Sequence, residues 1–252
     1  MNNLVIGLAQ LSVVRGDISK NLERHCQLIK AAAEQNVNVL LFPELSLTGY
    51  EPSLAKKLAI NLDDTRLLML QELADLYDMT LLVGAPKNTG HKPEIGLFIF
   101  RPNTVISCYS KMNLHSGEEV FFARAKEHKI LELNNQTIGL AICADITNPQ
   151  HIGSMLQYEL NLYLASVLFS VNGLSGDCQI LRNYAIEHKI VIAMSNYIGE
   201  TGGWQCAGNS TIWDVNGDVI ACAGEKDLTL VIAQLVNGQW SGKSICLSHY
   251  KV

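Results

Sequence analysis

The sequence predicts an α/β fold in which two sheets pack face to face and helices cover their outer sides. Apolar runs alternate with helical patterns in the first half, strand-like runs dominate thereafter, and no Pro/Gly/Ser-rich linker interrupts the chain. The strand-like runs number about a dozen, whereas strongly twisted open sheets rarely exceed roughly 10 strands without splitting in two. We therefore expect residues 1–252 to form a single domain built on two sheets.

The first half of the chain alternates strands with helices. Short apolar runs predict strands at residues 4–9, 37–42 and 80–85. Apolar side chains recur at steps of three and four in residues 17–35 and 67–77, which places them on one face of a helix. The second strand is expected to end at Pro43, because proline cannot donate a hydrogen bond to a neighbouring strand.

Turn signals divide the rest of the chain. Residues 101–103 and 134–136 each separate two strand-like runs and predict hairpins. Asn216-Gly217 predicts a tight turn near the end. Helical patterns occupy residues 149–159 and 177–188. The predicted strands of this part are residues 95–100, 104–109, 129–133, 137–142, 162–166, 190–195, 210–214, 219–223 and 228–235.

The composition excludes several functional classes. Charged residues make up 17% of the chain and hydrophobic residues 48%. A disordered chain would be poor in apolar residues and rich in charge, so disorder is excluded. The net charge is −5, and the densest basic stretch, residues 124–129, contains Glu127. Because nucleic-acid binding needs clustered Lys and Arg, that partner is not expected.

The lack of a recognisable targeting signal and the dispersed cysteines lead us to expect a cytoplasmic protein. No basic N-terminal region precedes a long apolar segment, and no apolar run approaches the roughly 18 residues of a membrane span. The seven cysteines are dispersed and none forms Cys-x-x-Cys, so free thiols are expected. Cys206 and Cys222 lack further zinc ligands nearby. No metal, cofactor or membrane partner is therefore predicted.

Three polar residues that follow predicted strands have the chemistry of a catalytic site. Glu44, Lys111 and Cys143 would converge if their strands were parallel neighbours, because ligands gather at the carboxyl ends of strands. A carboxylate can take the proton of a thiol that attacks a carbonyl, and an ammonium can stabilise the resulting oxyanion. The same carboxylate can then protonate the leaving amine and activate water. Such a trio would hydrolyse an amide through a thioester.

Each of the three residues also has an ordinary structural interpretation. Cysteine is among the most often buried residue types, so Cys143 after an apolar strand can belong to the core. Glu44 can bind backbone amides at a turn, and Lys111 can be a solvated loop charge. Taken singly, none of them establishes catalysis.

The sequence around these residues resembles the nitrilase, or carbon–nitrogen hydrolase, superfamily. Glu44 and Lys111 lie 67 residues apart and Lys111 and Cys143 lie 32 apart, which are ordinary separations for that family. Six motifs carry the resemblance in order, from about residue 4 to residue 235. They are Gly7-Leu8-Ala9-Gln10 followed by Asn21, residues 42–50, residues 109–114, residues 139–145, residues 182–188 leading to Ser195-Asn196, and residues 208–214 before Asn216-Gly217.

The resemblance implies a role for each member of the trio. Cys143 would be the nucleophile, Glu44 the general base, and Lys111 the group that stabilises the oxyanion and the intermediate. The backbone N–H of Ala144 would complete the oxyanion hole. Tyr50 falls where family members often place an aromatic residue near the pocket.

The resemblance also implies a second glutamate after the lysine, three residues before an aromatic. Glu118 with Phe121 fits this pattern, and Glu118 would position the lysine and the substrate. Glu119 is the alternative if the register shifts by one residue. Phe121 is then expected near the substrate, whereas His115 is interpreted as an exposed loop residue and Trp204 as a packing residue.

Two departures from the family pattern lie close to the trio. Many family amidases have a bulky residue directly after the cysteine, where Ala144 stands, and histidine is common where Asn113 stands. Both changes are expected to reshape the pocket, so no subfamily substrate is carried over. The asparagine, together with Cys-x-Asp, is similar to glutamine-hydrolysing domains.

Taken together, the resemblance implies a four-layer α-β-β-α sandwich and a cofactor-free hydrolase of a small linear amide. N-carbamoyl-amine hydrolysis and nitrile hydrolysis on the same thiol stay open, as does a non-catalytic binding protein of this fold. The family commonly forms homodimers through stacked helices, so a homodimer or larger assembly is expected. The C-terminal segment, residues 236–252 with Trp240 and Tyr250, is expected in contacts with the partner subunit.

Overall fold

Two sheets and a short ribbon contain all of the strands that the structure describes. The structure is a computed structural model, and it describes residues 3–247. Within this range the strands are β1 (Leu4–Gln10), β2 (Val39–Leu41), β3 (Thr80–Lys87), β4 (Glu94–Phe100), β5 (Ser107–Ser110), β6 (Ile130–Leu133), β7 (Gln136–Ile142), β8 (Leu162–Ser166), β9 (Val191–Ser195), β10 (Ile198–Thr201), β11 (Trp204–Ala207), β12 (Thr211–Trp213), β13 (Val219–Cys222), β14 (Thr229–Val236) and β15 (Gln239–Cys246).

The two sheets have closely related topologies. The seven-stranded sheet has the order β15-β14-β1-β2-β3-β4-β5, and the six-stranded sheet has the order β13-β12-β9-β8-β7-β6. At the centre of each, three consecutive strands run parallel: β1, β2 and β3 in the first, and β7, β8 and β9 in the second. The outer strands pair antiparallel, and β10 and β11 form a separate ribbon.

The described part of the chain contains five α-helices, which lie on the outer faces or in the connections. They are α1 (Ile18–Ala33), α2 (Ala55–Leu58), α3 (Leu68–Tyr77), α4 (Pro149–Met155) and α5 (Leu174–His188). Helix α1 begins after Asp17, whose carboxylate accepts a hydrogen bond from the Lys20 N–H at 3.1 Å. Such a cap satisfies one of the N–H groups that a helix start leaves without an intrahelical partner.

Alternating side chains along the central strands produce the four layers. Leu4, Ile6 and Leu8 of β1 point into the cluster between the two sheets, whereas Val5 and Ala9 point into the cluster beneath α1 and α3. Strands of the six-stranded sheet divide in the same way between the inner cluster and a third cluster beneath α4 and α5. Because successive strand residues face opposite sides, strands buried on both faces must be apolar throughout. The predicted α-β-β-α sandwich is therefore confirmed.

Two hydrogen bonds connect the sheets at one end of the sandwich. The Ser166 hydroxyl, at the end of β8, donates to the carbonyl of Phe42 at 2.8 Å. The Ser195 hydroxyl, at the end of β9, donates to the carbonyl of Ala9 at 2.7 Å. These contacts place the carboxyl ends of the parallel strands of both sheets at the same edge, where the polar residues that follow β2 and β7 can meet.

Several element bounds differ from the prediction. Helix α5 begins at Leu174, three residues before the predicted start, and the predicted helix 149–159 continues after Met155 only as the 3-10 turn Leu156–Tyr158. Strands β10, β11 and β15 were not predicted. Their sequences lack the sustained apolar alternation of a half-buried strand, and β15 is exposed along most of its length.

Most of the C-terminal segment pairs within its own chain, and its expected contacts with a partner subunit stay a prediction. Residues 239–246 form β15, which pairs antiparallel with β14 of the same chain, and Trp240 lies opposite Leu235. Tyr250 lies outside the described residues, and the predicted homodimer stays a prediction. No helix within residues 3–247 is long and apolar enough to cross a membrane.

Candidate active site

Glu44 is held at the end of β2 by a close approach between two backbone segments. The N–H of Leu47 donates to the carbonyl of Gly84 in β3 at 2.9 Å. A Cβ at position 84 would lie 2.3 Å from the backbone nitrogen of Leu45, so only glycine permits this contact. The Tyr197 hydroxyl donates to the carbonyl of Glu44 from the other side. The Glu44 side chain is consequently fixed and buried.

Lys111 lies between two carboxylates. Its Nζ donates to Glu44 Oε1 at 2.7 Å and to Glu118 Oε1 and Oε2 at 2.8 and 2.9 Å. Lys111 and Glu44 are 0% exposed at their side chains and Glu118 is 3% exposed. Lys111 reaches this position because β5, two strands removed from β3, points in the same direction as β2 and β3. The predicted convergence therefore does not require neighbouring strands.

Glu118, rather than Glu119, is the second glutamate at Lys111. It begins the 3-10 turn Glu118–Val120, where its Oε1 also accepts the Tyr50 hydroxyl at 2.8 Å and its Oε2 accepts the His115 N–H at 2.7 Å. Glu119 is exposed and accepts a hydrogen bond from the Gly117 N–H. Both oxygens of Glu118 are thus saturated, which fixes the carboxylate against Lys111.

Cys143 lies at a sharp turn between β7 and the 3-10 helix Cys143–Thr147. Its φ angle is +42°, in the left-handed region that non-glycine residues rarely occupy. The thiol donates to the carbonyl of Leu168 at 3.6 Å. The Ala144 N–H lies in the first turn of the 3-10 helix, where backbone N–H groups lack intrahelical acceptors. The backbone therefore places the thiol beside an N–H that has no intrahelical acceptor.

One carboxylate ties the Cys143 turn to the Lys111 turn, and the sequence analysis did not single it out. Asp145 is fully buried, and its Oδ1 accepts the N–H groups of Met112 and Asn113 at 3.1 and 2.8 Å. Its Oδ2 accepts the Ile142 N–H at 3.0 Å and the Tyr109 hydroxyl at 2.6 Å. Cys-x-Asp was the available signal, because a carboxylate two residues after a nucleophile can bond back to the strand end.

The departure at Asn113 belongs to this same network. Its side-chain amide donates to Asp145 Oδ1 at 3.1 Å, and its Oδ1 accepts the Asn148 side-chain amide at 2.9 Å. Asn113 therefore links the two turns a second time.

Burial and charge pairing set the protonation of the trio. Burial raises the pKa of Glu44 to about 7, although the Lys111 ammonium acts in the opposite direction. Burial alone lowers the pKa of Lys111, but the negative charges around it outweigh this effect and raise the pKa, so Lys111 stays cationic. Burial also raises the pKa of the Cys143 thiol well above its ordinary value. The resting state is therefore a neutral thiol beside a carboxylate that titrates near neutrality.

One oxygen of Glu44 is left available. Within residues 3–247, Oε2 is buried and accepts no well-formed hydrogen bond, whereas Oε1 accepts Lys111. The Cys143 thiol is close enough to lower the pKa of Glu44. A buried carboxylate oxygen without a partner is costly, so its persistence beside a thiol is suited to accepting a proton.

A pocket of about 270 Å³ opens onto the thiol. This is close to the small end of the roughly 300–1,000 Å³ typical of ligand pockets. Tyr50 and Ala144 lie on its wall as predicted, and so does exposed His115. The lining residues are Glu44, Tyr50, His115, Glu118, Cys143, Ala144, Ile146, Thr147, Leu168, Phe169, Ser170, Gly173, Asp177 and Trp204.

Two aromatic residues differ from their predicted positions. Phe121 lies in a different surface depression, beside Arg15 and Glu51, because its neighbour Phe122 takes the place in the core and turns Phe121 outward. Trp204, interpreted from sequence as a packing residue, is instead 48% exposed at the pocket wall. The residues within 3–247 contain no group of three or more His, Cys, Asp or Glu side chains arranged to hold a metal ion.

Comparison with known proteins identifies relatives at both the sequence and the fold level. Residues 5–241 match the family model described as Carbon-nitrogen hydrolase. A glutamine-dependent NAD(+) synthetase of Acinetobacter baylyi is 26% identical over 87% of this chain and 42% of its own length. Omega-amidase YafV of Yersinia enterocolitica is 26% identical over 88% of this chain and 86% of its own length. The chain thus spans about two-fifths of the synthetase.

Solved structures of the nitrilase superfamily share the fold. A cysteine-to-serine mutant of an amidase from Nesterenkonia AN1 superposes with a TM-score of 0.85 at 22% identity, covering 93% of this chain and 92% of the amidase. Nit3 of Saccharomyces cerevisiae superposes with a TM-score of 0.84 at 19% identity, covering 93% and 90% of the two chains. The arrangement of two sheets between helices is therefore that of this superfamily.

Proposed function

Because the chain belongs to the carbon–nitrogen hydrolase family, we propose that it hydrolyses the amide bond of a small linear amide through a thioester on Cys143. One observation carries the proposal: a buried Glu44–Lys111–Glu118 network leaves a carboxylate oxygen without a hydrogen bond beside a thiol. A purely structural ion pair would gain nothing from that oxygen, since an unsatisfied buried acceptor lowers stability.

The first half of the reaction forms the thioester. As Cys143 Sγ bonds to the amide carbon, its proton moves to Glu44 Oε2 and the carbonyl oxygen becomes an oxyanion. The oxyanion is stabilised by the Lys111 ammonium and the Ala144 N–H. Protonation of Glu44 removes one of the two negative charges that held Lys111, so more of the ammonium charge acts on the oxyanion. When the C–N bond breaks, Glu44 returns the proton to the departing amine.

The second half releases the acid. Glu44, again a carboxylate, takes a proton from water as the water oxygen attacks the thioester carbon. Collapse of the second oxyanion breaks the C–S bond, and the thiol recovers its proton from Glu44. Glu118 keeps Lys111 in place throughout, since the Tyr50 hydroxyl and the His115 N–H fix its carboxylate. The cycle consumes one water and no cofactor.

Glutamine is a second candidate substrate. Three glutamine-dependent NAD(+) synthetases are 25–26% identical to this chain over 87–92% of its length. If the chain acts on the same amide, it would release ammonia and glutamate. The similarity to omega-amidase YafV is equally high and supports amide hydrolysis without specifying glutamine, and the candidate amides differ in what the outer pocket would bind.

Ammonia release from an amide panel tests the proposal. The panel contains aliphatic amides, glutamine, N-carbamoyl amines and nitriles, and the control is Cys143→Ala. We expect ammonia and the corresponding acid from at least one amide with the wild type, and none with the variant. Carbon dioxide from carbamoyl compounds would identify the carbamoyl alternative. Equal turnover by Cys143→Ala would contradict the mechanism, and binding without turnover across the panel would favour a non-catalytic role.

A further inference from the structure

The outer part of the pocket carries a carboxylate that the proposed chemistry does not use. Asp177 lies in the first turn of α5 and lines the same pocket as Cys143. Within residues 3–247 its carboxylate has neither a hydrogen-bond donor nor a salt-bridge partner, and His115 is the titratable group that acts on its charge. Buried charges are usually paired, and Asp177 is partly buried. Asp177 therefore calls for a counter-charge from outside the chain.

The backbone places this carboxylate at the pocket wall. A Cβ at position 173 would lie 3.1 Å from Asp177 Oδ2 and 3.5 Å from Ser170 Oγ, so Asp177 packs against the Ser170–Gly173 segment. Ser170 and Gly173 both line the pocket. Partial burial raises the pKa of Asp177, although His115 acts in the opposite direction, so the loss of water outweighs the charge compensation that the chain itself provides.

The charge balance of the pocket favours a cation. Its described lining includes the carboxylates of Glu44, Glu118 and Asp177 but no lysine or arginine. Lys111 lies behind the lining, and its three contacts all go to Glu44 and Glu118. A substrate with a free carboxylate at its outer end would meet a negative field without a partner, whereas an ammonium would be attracted.

We infer that Asp177 binds a cationic group on the substrate, so that the substrate is a linear amide with an ammonium at the end remote from the scissile bond. The inference rests on the proposed function, since the amide carbon must lie at Cys143. Leu168, Phe169 and Trp204 provide the apolar wall along which a methylene chain can lie between the two ends. Asp177 is then a specificity-determining residue, and it takes no part in bond breaking.

Three amides of equal length isolate the outer group. δ-Aminovaleramide ends in an ammonium, hexanamide ends in a methyl group at the same position, and adipamic acid ends in a carboxylate. γ-Aminobutyramide and pentanamide form a second matched pair that is one methylene shorter. This pair tests whether a shorter chain fits the distance between Cys143 and Asp177 better. Binding is measured by calorimetry on Cys143→Ala at low salt and a pH of about 8, where aliphatic amines stay protonated. The thiol is absent, so affinity is measured without turnover.

The expected result is a preference for the ammonium that depends on Asp177. In Cys143→Ala, we expect δ-aminovaleramide to bind about tenfold more tightly than hexanamide, with adipamic acid weakest. Adding Asp177→Asn should reduce the ratio between the first two ligands to about one, and Asp177→Glu should restore part of it. Glu187→Gln removes the same charge from an exposed position on the same helix and should leave the ratio unchanged.

The outcomes separate this inference from the proposed function. Equal affinity of both amides in each pair, or a preference that survives Asp177→Asn in a folded protein, would overturn the assignment of Asp177. A simple helix-stabilising role would lower the melting temperature without changing the ratio. If the preference and its loss are both observed but the wild type releases no ammonia from any of the amides, the assignment stands and the proposed hydrolysis is wrong.

Discussion

The inner and outer ends of the same pocket differ in how completely their charges are paired. At the inner end, Lys111 contacts both Glu44 and Glu118, and each contact is buried and shorter than 3 Å. At the outer end, Asp177 has neither a hydrogen bond nor a salt bridge to its carboxylate within the described residues, and His115 is the titratable group that acts on its charge. The charges at the inner end are paired without a ligand, whereas the carboxylate at the outer end would be paired by a cationic group of the ligand.

This difference separates reactivity from selection. A buried ion network costs desolvation energy and is seldom the most stable way to fill a core, so its presence points to a chemical use. A half-exposed carboxylate at a pocket wall costs less and can pair with a partner that comes and goes. Substitutions at the inner end should therefore change turnover of every substrate, and those at the outer end should change the ranking of substrates.

Lys111→Met should have the largest effect on stability and turnover, because it removes the cation that pairs both carboxylates at the inner end of the pocket. It leaves Glu44 and Glu118 buried together without a cation, which should lower the free energy of unfolding by about 3–5 kcal/mol. Loss of the oxyanion partner should also reduce kcat by at least about 10²–10³. Both are measured on the purified protein, by urea unfolding and by ammonia release. Lys87→Met removes the cation of a partly exposed pair with Glu94 and is the matched control.

The stability loss of Lys111→Met should depend on pH. Burial raises the folded-state pKa of Glu44 above its unfolded value, so Glu44 favours folding at low pH and loses that contribution as pH rises through about 7. Without Lys111 the folded pKa of Glu44 should rise further. The gap in stability from the wild type should therefore widen as the pH rises above about 7. A difference in stability that does not change with pH would contradict the pairing described for Glu44. The Lys87→Met control should lower the free energy of unfolding by under about 1 kcal/mol.

The pH profile of the wild type tests the base directly. With Glu44 as base and a pKa of about 7, kcat/KM should fall about tenfold per pH unit well below that value. Because the pKa of the Cys143 thiol is raised, activity should persist on the alkaline side until well above pH 9. The measurement is kcat/KM for a neutral amide across the range. An acid limb near the ordinary pKa of a glutamate would show that Glu44 is not the titrating base.

Asp145→Asn should have a smaller effect, because it loosens the site without removing a reacting group. An amide nitrogen would face either the Ile142 N–H or the N–H groups of Met112 and Asn113, so the two turns could not both keep their hydrogen bonds. We expect kcat to fall by about 10- to 100-fold and stability by about 1–3 kcal/mol. Asp214→Asn is the matched control, since Asp214 accepts the N–H groups of Asn216 and Asp218 in a surface turn.

An unchanged kcat for Asp145→Asn, in a protein whose stability falls, would mean that the link between the turns serves folding alone. The effect expected for Asp177→Asn, a roughly tenfold change in relative affinity, is smaller again. This substitution should not alter the changes in turnover and stability that substitutions at the inner end cause. Together these variants establish whether the two ends act independently.

The sequence allowed the layers and the inner trio to be predicted because both follow local rules. The number of strand-like apolar runs indicated two sheets, and Glu44, Lys111 and Cys143 each follow a strand. The bonds between the turns were not predictable, since Asp145 meets Met112 and Asn113 only after two sheets have packed. Long-range pairing of this kind leaves no spacing pattern in the chain.

The outer pocket was harder to predict for a related reason. Trp204 lies on a short ribbon without apolar alternation, and Asp177 lies on a helix whose start was placed too late. Phe121 was expected near the substrate, but its neighbour Phe122 entered the core instead. Which of two adjacent aromatic residues turns inward depends on tertiary packing, and composition or spacing does not determine it.

The central claim is that Cys143 carries the acyl group, and intact mass spectrometry during turnover tests it most directly. After rapid acid quenching with a turned-over amide, one acyl group per chain should be found, and peptide mapping should place it on Cys143. The exposed thiols of Cys222 and Cys246 should stay unmodified, and Cys143→Ala should carry no adduct. Continued hydrolysis by Cys143→Ala, or an acyl group on a different residue, would contradict the account.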